Sequence, residues 1–337
     1  MLRTPLATTL AVAAIATSAS AQIAWPDDSP LTSQGNIVPL GYLQSNDRFD
    51  EGRYQILIPA RYLPSTGASI QGLSVAQPSG PTSVTYASLQ ITMSLTSATQ
   101  LSTTFANNLP QPVVVYNATD TTEQFVTRDW SPSIAFQQPF FYDGQSDLVI
   151  EIQKVLDRNR FPPTAGVATH ATNGNTDRRD LPNAVYAFSS PNGGGATATT
   201  ATTSATPLKV RLDIAPFSTL SVRSDRGGAN NKIFAIGAPF SIQFRGTPGD
   251  SFAHVIAFGF LPGPASVPPI QGGVWIDLSL SAVAGSGVLG TSGEDITTLS
   301  LPNDPGLVGG LLTFQGVWQN SAGVLSWTNA TDAFIND

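Results

Sequence analysis

Cysteine is absent from the 337 residues, histidine occurs twice, and charged residues make up only 12%. Without thiols there is no disulfide scaffold, no zinc finger and no cysteine nucleophile. Positive charge is scarcer still: 16 Lys and Arg stand against 23 Asp and Glu, for a net charge of −7. That sign opposes a phosphate backbone, so nucleic acid is not an expected partner. No apolar run reaches the roughly 20 residues that a spanning helix needs, and no stretch repeats its apolar residues at helical spacing. Neither a membrane-spanning helix nor a helical bundle is expected.

What the chain has instead is turn chemistry and alternation. It carries 30 Gly and 26 Pro. Clusters such as Pro262-Gly263-Pro264 and Asn303-Asp304-Pro305-Gly306 separate short runs of period two. Leu89, Ile91, Met93 and Leu95 alternate with Gln90, Thr92 and Ser94. Leu148, Ile150 and Ile152 do the same around Val149 and Glu151, as do Leu208 to Ile214 and Phe240 to Phe244. One wet face and one buried face is what such strands require. The expected class is all-β, built as two β-sandwich domains, jelly-roll-like or Ig-like.

Residues 1–21 read as a cleaved secretory signal. Arg3 is the basic residue, Leu10 to Ala16 the short apolar run, and Ala19-Ser20-Ala21 the small-residue cleavage pattern. An irregular arm is expected over 22–44, a first sandwich over 45–215 and a second over 216–337. Within the first, residues 193–207 (GGGATATTATTSATP from Gly193) are low in complexity and are expected to be a flexible loop. The sequons at Asn117 and Asn329 are expected on exposed loops.

Catalytic constellations are sparse. His170 reads as a solvated loop histidine and His254 as a core histidine on the face of Phe252 and Ile256. Gly249-Asp250-Ser251-Phe252 imitates the nucleophile block of GDSL-type esterases, but no D-x-x-H pair follows it. Glutamate occurs only at 51, 123, 151 and 294, in no E-x-D-x-E pattern, and Glu151 reads as an ordinary charge on a wet strand face. There is no phosphate-binding G-x-x-x-x-G-K motif and no G-x-S-x-G elbow. No enzyme activity is expected.

Two binding sites are worth weighing. Asn46, Asp47, Asp50 and Glu51 gather oxygen donors before a strand, where Ca²⁺ could pin a sandwich. Their spacing is not that of an EF-hand loop, and pairing of Asp47 or Glu51 with Arg48 or Arg53 explains them as well. No cofactor is otherwise expected. Val274 to Leu280 reads as a strand whose apolar set is Val274, Ile276, Leu278 and Leu280, which leaves Trp275 and Asp277 on the other face. An outward indole beside a carboxylate is a platform for a sugar ring, and burial of Trp275 under a neighbouring element is the alternative. Trp318, in step with Leu312 and Phe314, reads as core.

Leu301-Pro302-Asn303-Asp304-Pro305-Gly306-Leu307-Val308-Gly309, leading into Leu312-Thr313-Phe314-Gln315, resembles the end of a secreted β-sandwich module. That module recurs in uncharacterised exported proteins of planctomycete-type bacteria. Ile236-Gly237-Ala238-Pro239-Phe240-Ser241-Ile242 is similar to its opening strand, and Arg53-Tyr54-Gln55 with Phe140-Phe141-Tyr142 to its jelly-roll-like partner. The resemblance implies a fold and export, and no activity. The expected function is that of a secreted, non-catalytic structural or interaction protein of the cell envelope or extracellular matrix, acting at or beyond the cell surface. Its partners would be envelope or matrix proteins, or glycans. The alternative is a carbohydrate-binding, lectin-like sandwich protein centred on Trp275 and Asp277.

Overall fold

A computed structural model describes residues 21–26, 29–30, 35–37, 39–43, 47–78, 83–160, 167–168, 170–171, 184–189, 195–204, 207–215, 218–224 and 232–337. Of the expected signal, 1–21, residues 1–20 lie outside them, and Ala21 opens a described strand. The described chain is all-β, with strands from both halves and only short 3-10 turns between them. Two groups of sheets share no strand, one drawn from residues 21–215 and the other from 219–336.

In the first sandwich a six-stranded antiparallel sheet runs in the order Thr202–Ser204, Ala184–Phe188, Glu51–Ile58, Asp147–Leu156, Ser83–Thr96, Val113–Gln124. Its register sets Ile152 between Tyr54 and Ile91, and Ile150 between Ile56 and Met93. The apolar sets read from the alternation thus form rows across the sheet and point one way. Facing them is the second sheet, ordered Ala21–Trp25, Val210–Ala215, Ala68–Gln77, with Ile134–Tyr142 and Asp129–Trp130 beyond. Leu212, Ile214, Ile70, Leu73 and Tyr142 close the core from that side. Each large side chain so buried contributes roughly 1.5–3 kcal/mol.

The second sandwich packs a three-stranded sheet (Thr219–Ser224, Pro239–Arg245, Glu294–Ser300) on a larger one. The larger runs Phe260–Val267, Ile270–Ile276, Leu325–Asn336, Leu311–Gln319, Ser251–Phe258, Ser281–Val288, and Ile233–Ala235 lies parallel to Leu325–Asn336. Aromatic rings fill the space between: Phe234 stacks on Phe240 with centroids 4.5 Å apart, and Phe244 on Phe252 at 5.1 Å. Trp318 is partly buried against this core. The hairpin Phe260–Ile276 folds over the outer face of the large sheet, where Val274 and Ile276 pack with Val255, Ala257 and Trp327. Between the sandwiches, the Tyr62 hydroxyl donates to Asp332 Oδ2 at 3.1 Å and Ser65 Oγ to the Trp327 carbonyl at 2.8 Å.

Several elements depart from the alternation. The expected irregular arm begins as a strand, since Ala21–Trp25 pairs with Val210–Ile214 and buries Trp25. Part of the stretch read as a loop is ordered against the sheet: Gly195–Thr197 is a 3-10 turn and Thr202–Ser204 pairs with Ala184–Tyr186. Threonine-rich segments suit a sheet edge even without an apolar period. The strand expected over 274–280 stops at Ile276, because Asp277 Oδ1 accepts from the Ser279 amide at 2.9 Å and starts a 3-10 turn. Leu278 and Leu280 consequently face solvent rather than core. Both sequons lie on strands, and Asn329 is buried, exchanging hydrogen bonds with the backbone of Leu220 at 2.9 and 3.0 Å.

Candidate binding surface

Ser281–Val288 is an edge strand, paired only with Ser251–Phe258 among the described residues. Its local sequence explains its shape. Gly287 faces inward beneath the Phe252 ring, where an added Cβ would stand 3.2 Å from Cζ. At Gly285 an added Cβ would stand 3.3 Å from His254 Cδ2 and 3.2 Å from Thr297 Oγ1, so glycine eases the close approach of the neighbouring side chains here. Ala284 is an extra residue, because His254 pairs with Gly285 and Val255 with Val283. This bulge restores Val283 to the face that carries Ser286 and Val288. The covering hairpin stops short of that face, and Val283 and Val288 stay 68% and 65% exposed.

The surroundings are neutral and apolar. No charged residue occurs from Leu278 to Gly293. Leu280, in the turn that precedes the strand, and Phe258, at the end of the strand it pairs with, are also exposed. Ile296 is exposed on the adjoining edge strand of the other sheet. Exposed apolar side chains concentrated along one edge mark an interaction surface more often than scattered ones do.

Trp275 and Asp277 lie elsewhere, at the end of the covering hairpin and at the start of the turn that follows it. The Trp275 amide donates to Gln315 Oε1 at 2.8 Å, the ring is half-buried, and its indole Nε1 is enclosed without a hydrogen-bond partner. Asp277 is turned onto Ser279, whose hydroxyl at 2.6 Å and amide hold the carboxyl below its usual pKa.

His254 is fully buried, with Nε2 3.3 Å from Asp295 Oδ2 and its ring 4.9 Å from that of Phe252. Burial holds its pKa down, against the smaller upward pull of Asp295. It bonds to Asp295 rather than to Ser251, so the GDSL-like block makes no nucleophile pair. The backbone of His170 pairs with Asn36, and its side chain is outside the described residues.

The oxygen donors proposed for calcium are dispersed. Asp50 pairs through both carboxyl oxygens with Arg158, and Arg48 lies over the Phe188 ring at 4.9 Å. Asn46 is outside the described residues, among which no group of three His, Cys, Asp or Glu is close enough to hold a metal. Arg53 turns not to Asp47 or Glu51 but to Glu151.

Glu151 is the main correction to the sequence reading. It is buried, ion-paired to Arg53 (Nε to Oε2, 2.7 Å), and accepts from Gln55 Nε2 at 2.6 Å and Gln153 Nε2 at 2.8 Å. Asn108 donates to Gln55 Oε1 at 2.7 Å, and Gln55 also donates to the Phe105 carbonyl. The 3-10 turns Phe105–Asn108 and Gly195–Thr197 lie over this face, and Arg53 reaches up to the Ala198 carbonyl at 2.9 Å. The face is wet in pattern but roofed in fact.

Among the described residues, a cleft of about 210 Å³ is lined by Gln22, Arg211, Arg245, Ser292 and Glu294. Its two arginines have local partners. Arg245 Nε lies 3.3 Å from Glu294 Oε1, and Arg211 donates to Gln22 Oε1 at 3.3 Å while stacking over Trp130 at 4.5 Å.

No protein-family model matches the chain, and no curated protein matches it. Among solved structures, Spo0M, a sporulation control protein from Bacillus subtilis, matches at TM-score 0.20 and 9% identity over 36% of this chain. The match spans half of that protein's length. A likeness at that level bears on neither fold nor function.

Proposed function

We propose that this chain is an exported, non-catalytic structural or interaction protein of the cell envelope or extracellular matrix. The observation that carries the reading is the charge-free edge of the second sandwich, with Val283 and Val288 in solvent. Export rests on Arg3, the apolar run Leu10 to Ala16 and the small residues before Gln22. The low charge and Ser/Thr-rich strands suit packing against other matrix components. No helix of the described residues is long and apolar enough to cross a membrane.

The test is binding of the purified chain to intact cells and to a panel of insoluble polysaccharides, with its state of association measured alongside. Self-association or retention on cells, without selectivity among polysaccharides, is the expected result. Selective retention on one polysaccharide, lost in Trp275→Ala, would overturn the reading in favour of the carbohydrate-binding alternative.

A further inference from the structure

Resting on that reading, we propose that the partner of the open edge is a second copy of this chain, joined antiparallel through Ser281–Val288 of both copies. Sheet edges are normally blunted by shortness, charge or proline, because a bare ladder invites another strand. Most other outer strands described here are blunted in one of these ways. Thr202–Ser204 has three residues, and Ala21–Trp25 ends at Pro26. Pro139 interrupts Ile134–Tyr142, and Pro262 and Pro264 interrupt Phe260–Val267. Charges sit on the rest: Asp120 and Glu123 on Val113–Gln124, Arg223 on Thr219–Ser224, Glu294 and Asp295 on Glu294–Ser300. Ser281–Val288 has eight residues, no charge and no proline, and the bulge at Ala284 is its one interruption.

The register indicates what completes it. Along the ladder, Val288 stands opposite Ser251, Ser286 opposite Ala253, Gly285 opposite His254 and Val283 opposite Val255. Because the bulge at Ala284 absorbs one residue, an identical strand can be laid antiparallel about a two-fold axis at Ser286 with every face in step. Val283 then meets Val288 of the other copy, Gly285 meets Gly287, and Ser286 meets itself. An isologous contact of this kind needs only the self-complementarity the strand already has. Charge points the same way. Two bodies each of net charge −7 repel over most approaches, and the stretch 278–293 is free of charge.

The experiment uses the purified full chain in sedimentation velocity over a wide concentration range. The parent is expected to pass from monomer to dimer. Val283→Lys with Val288→Lys sets lysine against lysine at two symmetric positions, and dimerisation should weaken by about a hundredfold or more. Val126→Lys, an exposed position on the first sandwich, should leave it unchanged. Ser286→Cys gives an independent readout, since the chain has no other thiol. Residues directly opposite across an antiparallel pair lie within disulfide range, so mild oxidant should cross-link this variant far faster than Val126→Cys. A parent that stays monomeric at all concentrations, with Ser286→Cys cross-linking no faster than the control, overturns the proposal. If that monomer is still retained on cells, the interaction reading stands and only the second copy fails as partner.

Discussion

On the outer face of the first sandwich's six-stranded sheet, a carboxylate at a position patterned for water is covered and fully partnered. On the outer face of the second sandwich's large sheet, two valines stand in solvent. Glu151 between Gln55 and Thr92, and Val283 beside Val255, are both outward residues of antiparallel ladders. They differ in what crosses above them. Two 3-10 turns roof Glu151, whereas the hairpin Phe260–Ile276 reaches Val255 and goes no further. A strand's own pattern sets which residues share a face; the connections decide which face is wet. The first sandwich has turned its surface inward, and the second has left a face and an edge to be met from outside.

The sharpest way to break this contrast is to empty the roofed site. Glu151→Ala removes the acceptor of Arg53, Gln55 and Gln153 at once and leaves a cation and an amide buried without it. Stripping one partner from a buried pair typically costs about 3–5 kcal/mol. Denaturant unfolding should therefore show a large loss of stability. A loss under about 0.5 kcal/mol, the range of an ordinary surface substitution, would mean that the roof does not exclude water from Glu151.

A second contrast can be drawn by pH. Lys154 is buried at the end of the first core, donates to the Gly41 carbonyl, and has its pKa lowered by burial to about 7, against a smaller upward pull from Asp50. The folded chain gives up that proton near pH 7 while the unfolded chain keeps it to about pH 10.5, so stability rises with pH across that window. Above pH 10 the buried tyrosines Tyr54, Tyr86 and Tyr142, whose pKa values burial raises, oppose the trend because they ionise only on unfolding. Lys154→Met should flatten the rise between pH 7 and 10 and leave the tyrosine limb in place. Thermal melts of parent and variant across that range test it, and an unchanged slope would assign the rise to another group.

Much of the fold was legible in period two. The row through Tyr54, Ile152 and Ile91 was readable as a buried face because both neighbours in the ladder repeat the same alternation, and Ile242 and Phe244 were readable from their own strand and from Val222 and Leu220 on one side. The site was not. Glu151 looked exposed because its cover comes from Phe105–Asn108 and Gly195–Thr197, turns with no period of their own. Leu278 and Leu280 looked buried because Asp277 ends the strand through a side-chain bond that alternation does not register. At Ser281–Val288 the parity changes at Ala284, so a strict alternation puts Val283 and Val288 on opposite faces. The sixteen positions from Leu278 to Gly293 without a charge were the signal open to a reader of the sequence.

The smallest expected effect belongs to His254, the second sandwich's counterpart to Lys154. Both are buried basic groups, and the window of His254 lies on the acid side of that of Lys154. His254 is enclosed by Phe244 and Phe252, its Nδ1 has no hydrogen-bond partner, and Asp295 is the acid that faces its Nε2. Burial lowers its pKa below the ordinary 6.5, so as pH falls through 6.5 the unfolded chain takes up a proton that the folded chain refuses. Stability should drop there, below the range in which Lys154 changes. His254→Leu removes the titrating group and should remove that drop while leaving the rise above pH 7 untouched. Asp295→Asn should deepen it, because the carboxylate is the influence that opposes burial. Melts between pH 5 and 8 distinguish the variants, and a drop that survives His254→Leu would place its origin among the carboxylates instead. Because the two windows adjoin, the pair of variants, His254→Leu and Lys154→Met, assigns each part of the pH dependence to its sandwich.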